Sequence, residues 1–316
     1  MKPPARLLFY ATSIGILLFA NNALAQAASP NALDAIPDLF QAKFEGMEAA
    51  LTNDAIKLFG LLAIIEFSYA AFQLAFKQAD IGQWAGVIVN QLLFLGIGFY
   101  IVSNGANIGG AFVDSFRQSA SGASVAAGGV GTLSPSDVFN SGVTIAQNGL
   151  DNMSLSDIPE SIAYAISSLI IVVVFALIVA MMILSLVSAW GIVTMSILFL
   201  GFGGSRWTKD IAMKAMTGIL GVGAKLFVMQ IIVGVGGSIF TDFATKPVTT
   251  AADLIIMVGF SVVMLALVKV IPDTVQALIS GAAFTGGGAM IAAAGAVAGA
   301  ASNVAAQMLG AGAAAT

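Results

Sequence analysis

The sequence predicts an all-α fold, a polytopic membrane helix bundle of about five transmembrane helices behind an N-terminal signal peptide. Three observations carry that reading. Hydrophobic residues make up 59% of the 316 residues and charged ones 9%, with a mean hydropathy of +0.97, whereas a soluble domain carries about 25% charged residues. Apolar runs near the ~20 residues needed for a crossing recur along the chain, the longest being Ile162 to Phe202, 41 residues without a charge. Basic residues are scarce in the longest hydrophilic stretch and dense around Arg206, the kind of asymmetry that orients membrane chains.

Residues 1–25 read as a signal peptide. Lys2 and Arg6 precede an apolar run from Leu7 to Ala20, and Ala23-Leu24-Ala25 supplies small residues at the cleavage spacing. Residues 26–53 are then expected in the periplasm as an amphipathic helix, most simply lying on the outer membrane face. Its apolar side is Leu39, Phe40, Phe44, Met47 and Leu51, and Pro37 suits its first turn. Thr52-Asn53-Asp54 can cap the helix that follows.

Residues 54–103 hold the first two spans, Leu58–Phe76 and Trp84–Ser103, joined by the polar stretch Lys77–Gln83. Residues 104–161 form a Gly/Ser-rich periplasmic loop with five acidic residues and one basic one, Arg117, in which Ser134-Pro135 opens a helix. The transmembrane core follows at 162–272. Ile162–Phe202 has room for two crossings, with a break at Ser188-Trp190-Gly191, or for one crossing plus a tilted or re-entrant piece. Arg206, Lys209 and Lys214 form the densest basic group in the chain, and the single crossing places them in a central cytoplasmic loop near 203–210. Ile211–Phe240 and Leu254–Ile271 complete five spans, with six as the alternative, and Pro272 is expected to stop the last. Residues 273–316 form an Ala/Gly-rich cytoplasmic tail, where small residues spaced by four allow close helix contact.

The stretch Leu198–Gly237 carries the candidate site. Gly201, Gly203 and Gly204 permit a reversal, Trp207 suits the headgroup layer, and Arg206 holds the loop inside. Lys225 and, in the first span, Glu66 are anomalies, because a charge at bilayer depth costs roughly 2.5–3.5 kcal/mol on insertion scales. They are read as a structural ion pair within or between subunits, or as the lining of a conduit.

Most other chemistry is excluded by composition. The chain has no cysteine and no histidine, so thiol chemistry is absent and so is the commonest general base and metal ligand. Gly218–Lys225 departs from the phosphate-loop pattern at Ala224 and Leu226. A Ser205–Lys209 pair would lie in a wet loop. The chain is therefore expected not to be an enzyme, and no cofactor or metal is expected.

The run FLGFGGSRWT, followed by a helix containing VGAKLFVMQIIVGVG, resembles the TrbL family of type IV secretion and conjugation systems. The resemblance runs from the first span to the Gly-rich segment after Pro272 and is densest from Gly201 to Gly237. It implies a multi-pass protein of the bacterial inner membrane with a periplasmic mature N-terminus, serving DNA or protein translocation and pilus biogenesis. Implied partners are the periplasmic stalk or minor pilin protein, inner-membrane core components, secretion ATPases, membrane lipid, further copies in a ring, and transiently the translocated DNA or protein. The family's functional Trp and Arg match Trp207 and Arg206, whereas its longer hydrophilic tail has no counterpart in the Ala/Gly segment here. Gly203, Gly204, Arg206, Trp207, Lys225 and Glu66 are the expected assembly or channel residues. A secondary transporter or small ion channel is the alternative, and it would call for an internal repeat of the GFGGSRW turn, which the sequence lacks.

Overall fold

The computed structural model describes residues 32–76, 80–153, 158–245 and 250–281, so the expected signal peptide, residues 1–25, and most of the Ala/Gly-rich tail lie outside the described residues. Within them the chain is helical and contains no strand. In order the helices are α1 (Ala35–Phe76), α2 (Ile81–Ser103), α3 (Gly105–Ala126), α4 (Pro135–Leu150), α5 (Ile158–Leu200), a 3-10 turn (Gly201–Gly204), α6 (Lys209–Thr245) and α7 (Ala251–Ser280). Five of them, α1, α2, α5, α6 and α7, are long and apolar enough to cross a membrane.

The main core lies among α3 to α7. Val113, Ile145, Phe175, Ile178, Val222, Leu226 and Leu254 are buried there, and Phe240 stacks edge-on between Phe175 at 4.5 Å and Phe260 at 5.1 Å. Close approach depends on glycine at two places. A Cβ on Gly142 would run into the Phe175 ring, and one on Gly234 would meet Ser124 and lie 2.6 Å from the Val130 carbonyl oxygen. The chain between α3 and α4 is hooked onto α6 at that second point. The Val130 amide donates to the Gly234 carbonyl at 3.0 Å, and Ser124 Oγ donates to the Val130 carbonyl at 2.6 Å.

Helices α1 and α5 run parallel. Phe44 lies against Gly191, Glu48 meets Thr194 Oγ1 at 3.5 Å, and Ala55 lies against Gly201. Helix α5 ends there but α1 does not. From Phe59 to Phe76 it continues about 26 Å at 1.5 Å per residue, packed against the Gly201–Gly204 turn and α2. A smaller core of Ala55, Phe59, Val102, Ile197 and Leu200 joins this hairpin to the bundle. Beyond it, Leu61, Ile64, Phe72, Leu92 and Leu93 are exposed, as side chains facing lipid or another protein must be.

Several expected boundaries are corrected. Residues 35–76 form one helix of 42 residues, not a surface helix followed by a span. Asp54 pairs with Lys57 at 3.1 Å instead of capping a new helix, and fully buried Ala55 is held against Gly201. The 104–161 segment is mostly helical, with α3 in addition to the anticipated α4. Helix α4 starts at the capping box of Ser134 and Asp137, each satisfying the other's backbone amide. Helix α5 runs 43 residues with no break at Ser188-Trp190-Gly191. Ser188 Oγ donates back to the Leu184 carbonyl at 2.6 Å, and Gly191 seats the Phe44 ring. Nor does Pro272 stop α7, which continues to Ser280 before Gly281 closes it in the left-handed conformation at φ 69°. Proline within a membrane helix is tolerated where neighbouring groups compensate, and here Thr274 Oγ1 bonds the Val270 carbonyl at 2.8 Å while Asp273 is held by two lysines.

Candidate functional site

Where α5 ends, the chain turns tightly against α1. A Cβ on Gly201 would lie 2.7 Å from the Ala55 carbonyl oxygen, and one on Gly204 would collide with the Phe59 carbonyl. Gly203 differs, since a Cβ there would be in ordinary contact with Ala212 at 3.6 Å. The turn is closed by Thr208, whose Oγ1 donates to the Phe202 carbonyl at 2.5 Å. Gly98 of α2 completes the approach, lying beneath the Phe59 ring.

This turn delivers Ser205 and Arg206 to Glu66 of α1. Ser205 Oγ donates to Glu66 Oε2 at 2.8 Å, the Arg206 amide donates to the same oxygen at 3.3 Å, and Arg206 Nε lies 3.6 Å from Oε1. Arg206 Nη2 also donates to Gln91 Oε1 of α2 at 3.2 Å, and its guanidinium lies 5.9 Å from the centre of the Phe94 ring. Glu66 is 6% exposed and Gln91 1%. Three segments far apart in sequence are thus tied by one buried carboxylate and one arginine. A buried carboxylate needs a partner and additional hydrogen bonds, and the Gly201–Gly204 turn brings both. Trp207 projects outward at 68% exposure and meets Tyr69 edge-on at 5.0 Å. The cluster lies level with the middle of the α1–α2 hairpin, not with its tip.

Lys225 is elsewhere, and the pairing of Glu66 with Lys225 within one chain is corrected. Its Nζ lies 2.7 Å from Asp273 Oδ1 of α7, and Lys269 Nζ lies 3.5 Å from Asp273 Oδ2. Asp273 directly follows Pro272, on the part of α7 that continues past the expected helix end. The sequence did mark Glu66, Arg206, Trp207 and Gly204, which the structure brings together. Gln91 stood out only as a polar residue inside a span, and its amide nitrogen is buried without a partner among the described residues. Ser205 is a donor to Glu66, with no contact to Lys209 shown. Among the described residues no group of three acidic, histidine or cysteine side chains is arranged to hold a metal.

Long apolar helices joined by a buried polar clasp define a multi-pass α-helical membrane protein. The family model described as TrbL/VirB6 plasmid conjugal transfer protein matches residues 63–271, the interval that holds the clasp and the Lys225–Asp273 pair's first member. The chain belongs to that family. It is 30% identical over 294 residues to a conjugal transfer protein TrbL of Rhizobium radiobacter, covering 91% of this chain and 72% of the relative. It is 28% identical over 280 residues to a probable conjugal transfer protein TrbL of Sinorhizobium fredii (strain NBRC 101917 / NGR234), covering 86% of this chain and 70% of the relative.

Proposed function

We propose that this chain is an inner-membrane channel and assembly subunit of a bacterial type IV secretion, or conjugation, system, contributing to DNA or protein translocation and to pilus biogenesis. The observation that carries the proposal is family membership across the segment that builds the clasp. The fold fits a platform or conduit. It offers long apolar helices, an exposed α1–α2 hairpin for neighbours to cover, and internal polar contacts confined to a few points. Distribution of charge supports a cytoplasmic α5–α6 turn and a periplasmic mature N-terminus. Arg206, Lys209, Lys214 and Lys225 occupy the turn and the first half of α6, while the segments toward the other end carry only Lys43 and Arg117 as basic residues among the described residues. The partners are the stalk protein, core components and ATPases of the same machine, and further copies of this chain in a ring.

Site-specific photo-crosslinking in a conjugating donor tests the channel role. A crosslinker replacing exposed Trp207 should capture transferred DNA or exported protein, whereas one replacing buried Val222 should not. Capture of other subunits alone would reduce the role to a scaffold.

A further inference from the structure

A cavity of about 240 Å³ lies away from the clasp, enclosed by α1, α3, α5, α6 and the chain leading into α4. Its mouth carries Asp34, Asp38 and Arg117, and its floor is formed by Met182, Leu226 and Val233. The mouth residues are exposed or half-buried, while the floor residues are each at most 5% exposed. Helices α1 and α3, which both line it, barely touch. Each of those helices bears an exposed phenylalanine, Phe40 and Phe112.

The polar groups here are left over by the fold. Arg117, the one basic residue between Lys77 and Arg206, is half-buried and makes no ion pair or hydrogen bond with any described residue. Gln230 and Trp190, which also line the cavity, likewise have no hydrogen bond to a described residue. A half-buried guanidinium gains from an anionic acceptor, and an apolar floor gains from contact with hydrocarbon. An amphiphile answers both, placing an anionic group on Arg117 and hydrocarbon over the floor. The two carboxylates refine its chemistry. Asp34 already accepts the Ser136 amide at 2.9 Å, leaving Asp38 to face a cation, and together they disfavour a headgroup of net negative charge.

We propose that this cavity is an intramolecular site for one zwitterionic phospholipid. Its phosphate lies on Arg117, its ammonium on Asp38, and its first methylenes over Met182, Leu226 and Val233, with the chain leaving between α1 and α3. The site is independent of any role in transfer.

The test uses the full chain purified in mild detergent, washed free of loosely held lipid, and analysed by native mass spectrometry with added phosphatidylethanolamine or phosphatidylglycerol. About one phosphatidylethanolamine per chain should survive, with phosphatidylglycerol retained roughly tenfold less, the factor that a difference near 1.4 kcal/mol produces. Val233→Trp, which fills the floor, and Arg117→Gln, which removes the phosphate partner, should each lose the lipid while helix content is unchanged. Arg117→Lys should keep part of it. If Val233→Trp fails to fold, Arg117→Gln still tests the mouth. Absence of retained lipid in the folded wild-type chain, equal retention by Arg117→Gln, equal retention of phosphatidylglycerol, or occupancy by an apolar peptide that excludes lipid would each overturn the proposal.

Discussion

Glu66 and Arg206, 140 residues apart in sequence, meet at 3.6 Å, with the Arg206 amide and the Ser205 hydroxyl donating to the same carboxylate. Removing the acceptor strands donors in a buried place. Glu66→Leu should therefore destabilise the protein by about 1–3 kcal/mol, and Glu66→Gln by less, because an amide oxygen still accepts from Ser205. Arg206→Lys should behave as a loss, since an ammonium lacks the fork that reaches Glu66 and Gln91 together. Thermal unfolding in detergent reads all three, and a double-substitution cycle with Ser205→Ala should show coupling.

The turn makes a sharper prediction within four residues. Gly204→Ala and Gly201→Ala push a methyl group into the α1 backbone, at Phe59 and Ala55 respectively, and each should cost about 1–3 kcal/mol through overpacking. Gly203→Ala has room and should be close to neutral. Membrane accumulation and unfolding temperature of the three variants check the order.

The fold class was legible in the hydropathy and the scarcity of charge, and the five long apolar helices followed from run lengths. Where helices end was less legible, because a cap residue or a proline ends a helix only when tertiary contacts allow it. Thr52-Asn53-Asp54 lost to the burial of Ala55 against Gly201, and Pro272 lost to the ion pairs of Asp273. The site divided in the same way. The cost of burying charge singled out Glu66 and Lys225 as needing partners, but that cost does not say which partners. Only the packing of α1 against the end of α5 selects Arg206 for Glu66, and only the continuation of α7 brings Asp273 to Lys225.

Asp273 serves two lysines, so the consequences of breaking that cluster are unequal. Lys225→Met leaves Asp273 with Lys269 and should lower stability modestly. Asp273→Leu leaves two cations on adjoining helices without their shared partner and should be the more damaging change, with Asp273→Leu plus Lys225→Met recovering part of the loss. Unfolding temperatures of the three variants in detergent test the ranking.

The proposed topology rests on charge placement and is checked by reporter fusions. A fusion at Lys209 should report the cytoplasm, and fusions at Ser121 and Thr245 the periplasm. An outside signal at Lys209 would remove the basis for a cytoplasmic α5–α6 turn.

Participation in conjugation is measured most directly by transfer frequency from a donor with a clean deletion of the gene, complemented by the wild-type chain or by Arg206→Ala. Transfer should fall by orders of magnitude on deletion and return with the wild-type chain. It should not return with Arg206→Ala, even where that variant accumulates in the membrane. Unchanged transfer from the deletion donor would contradict the functional assignment, and full rescue by Arg206→Ala would contradict a working role for the clasp.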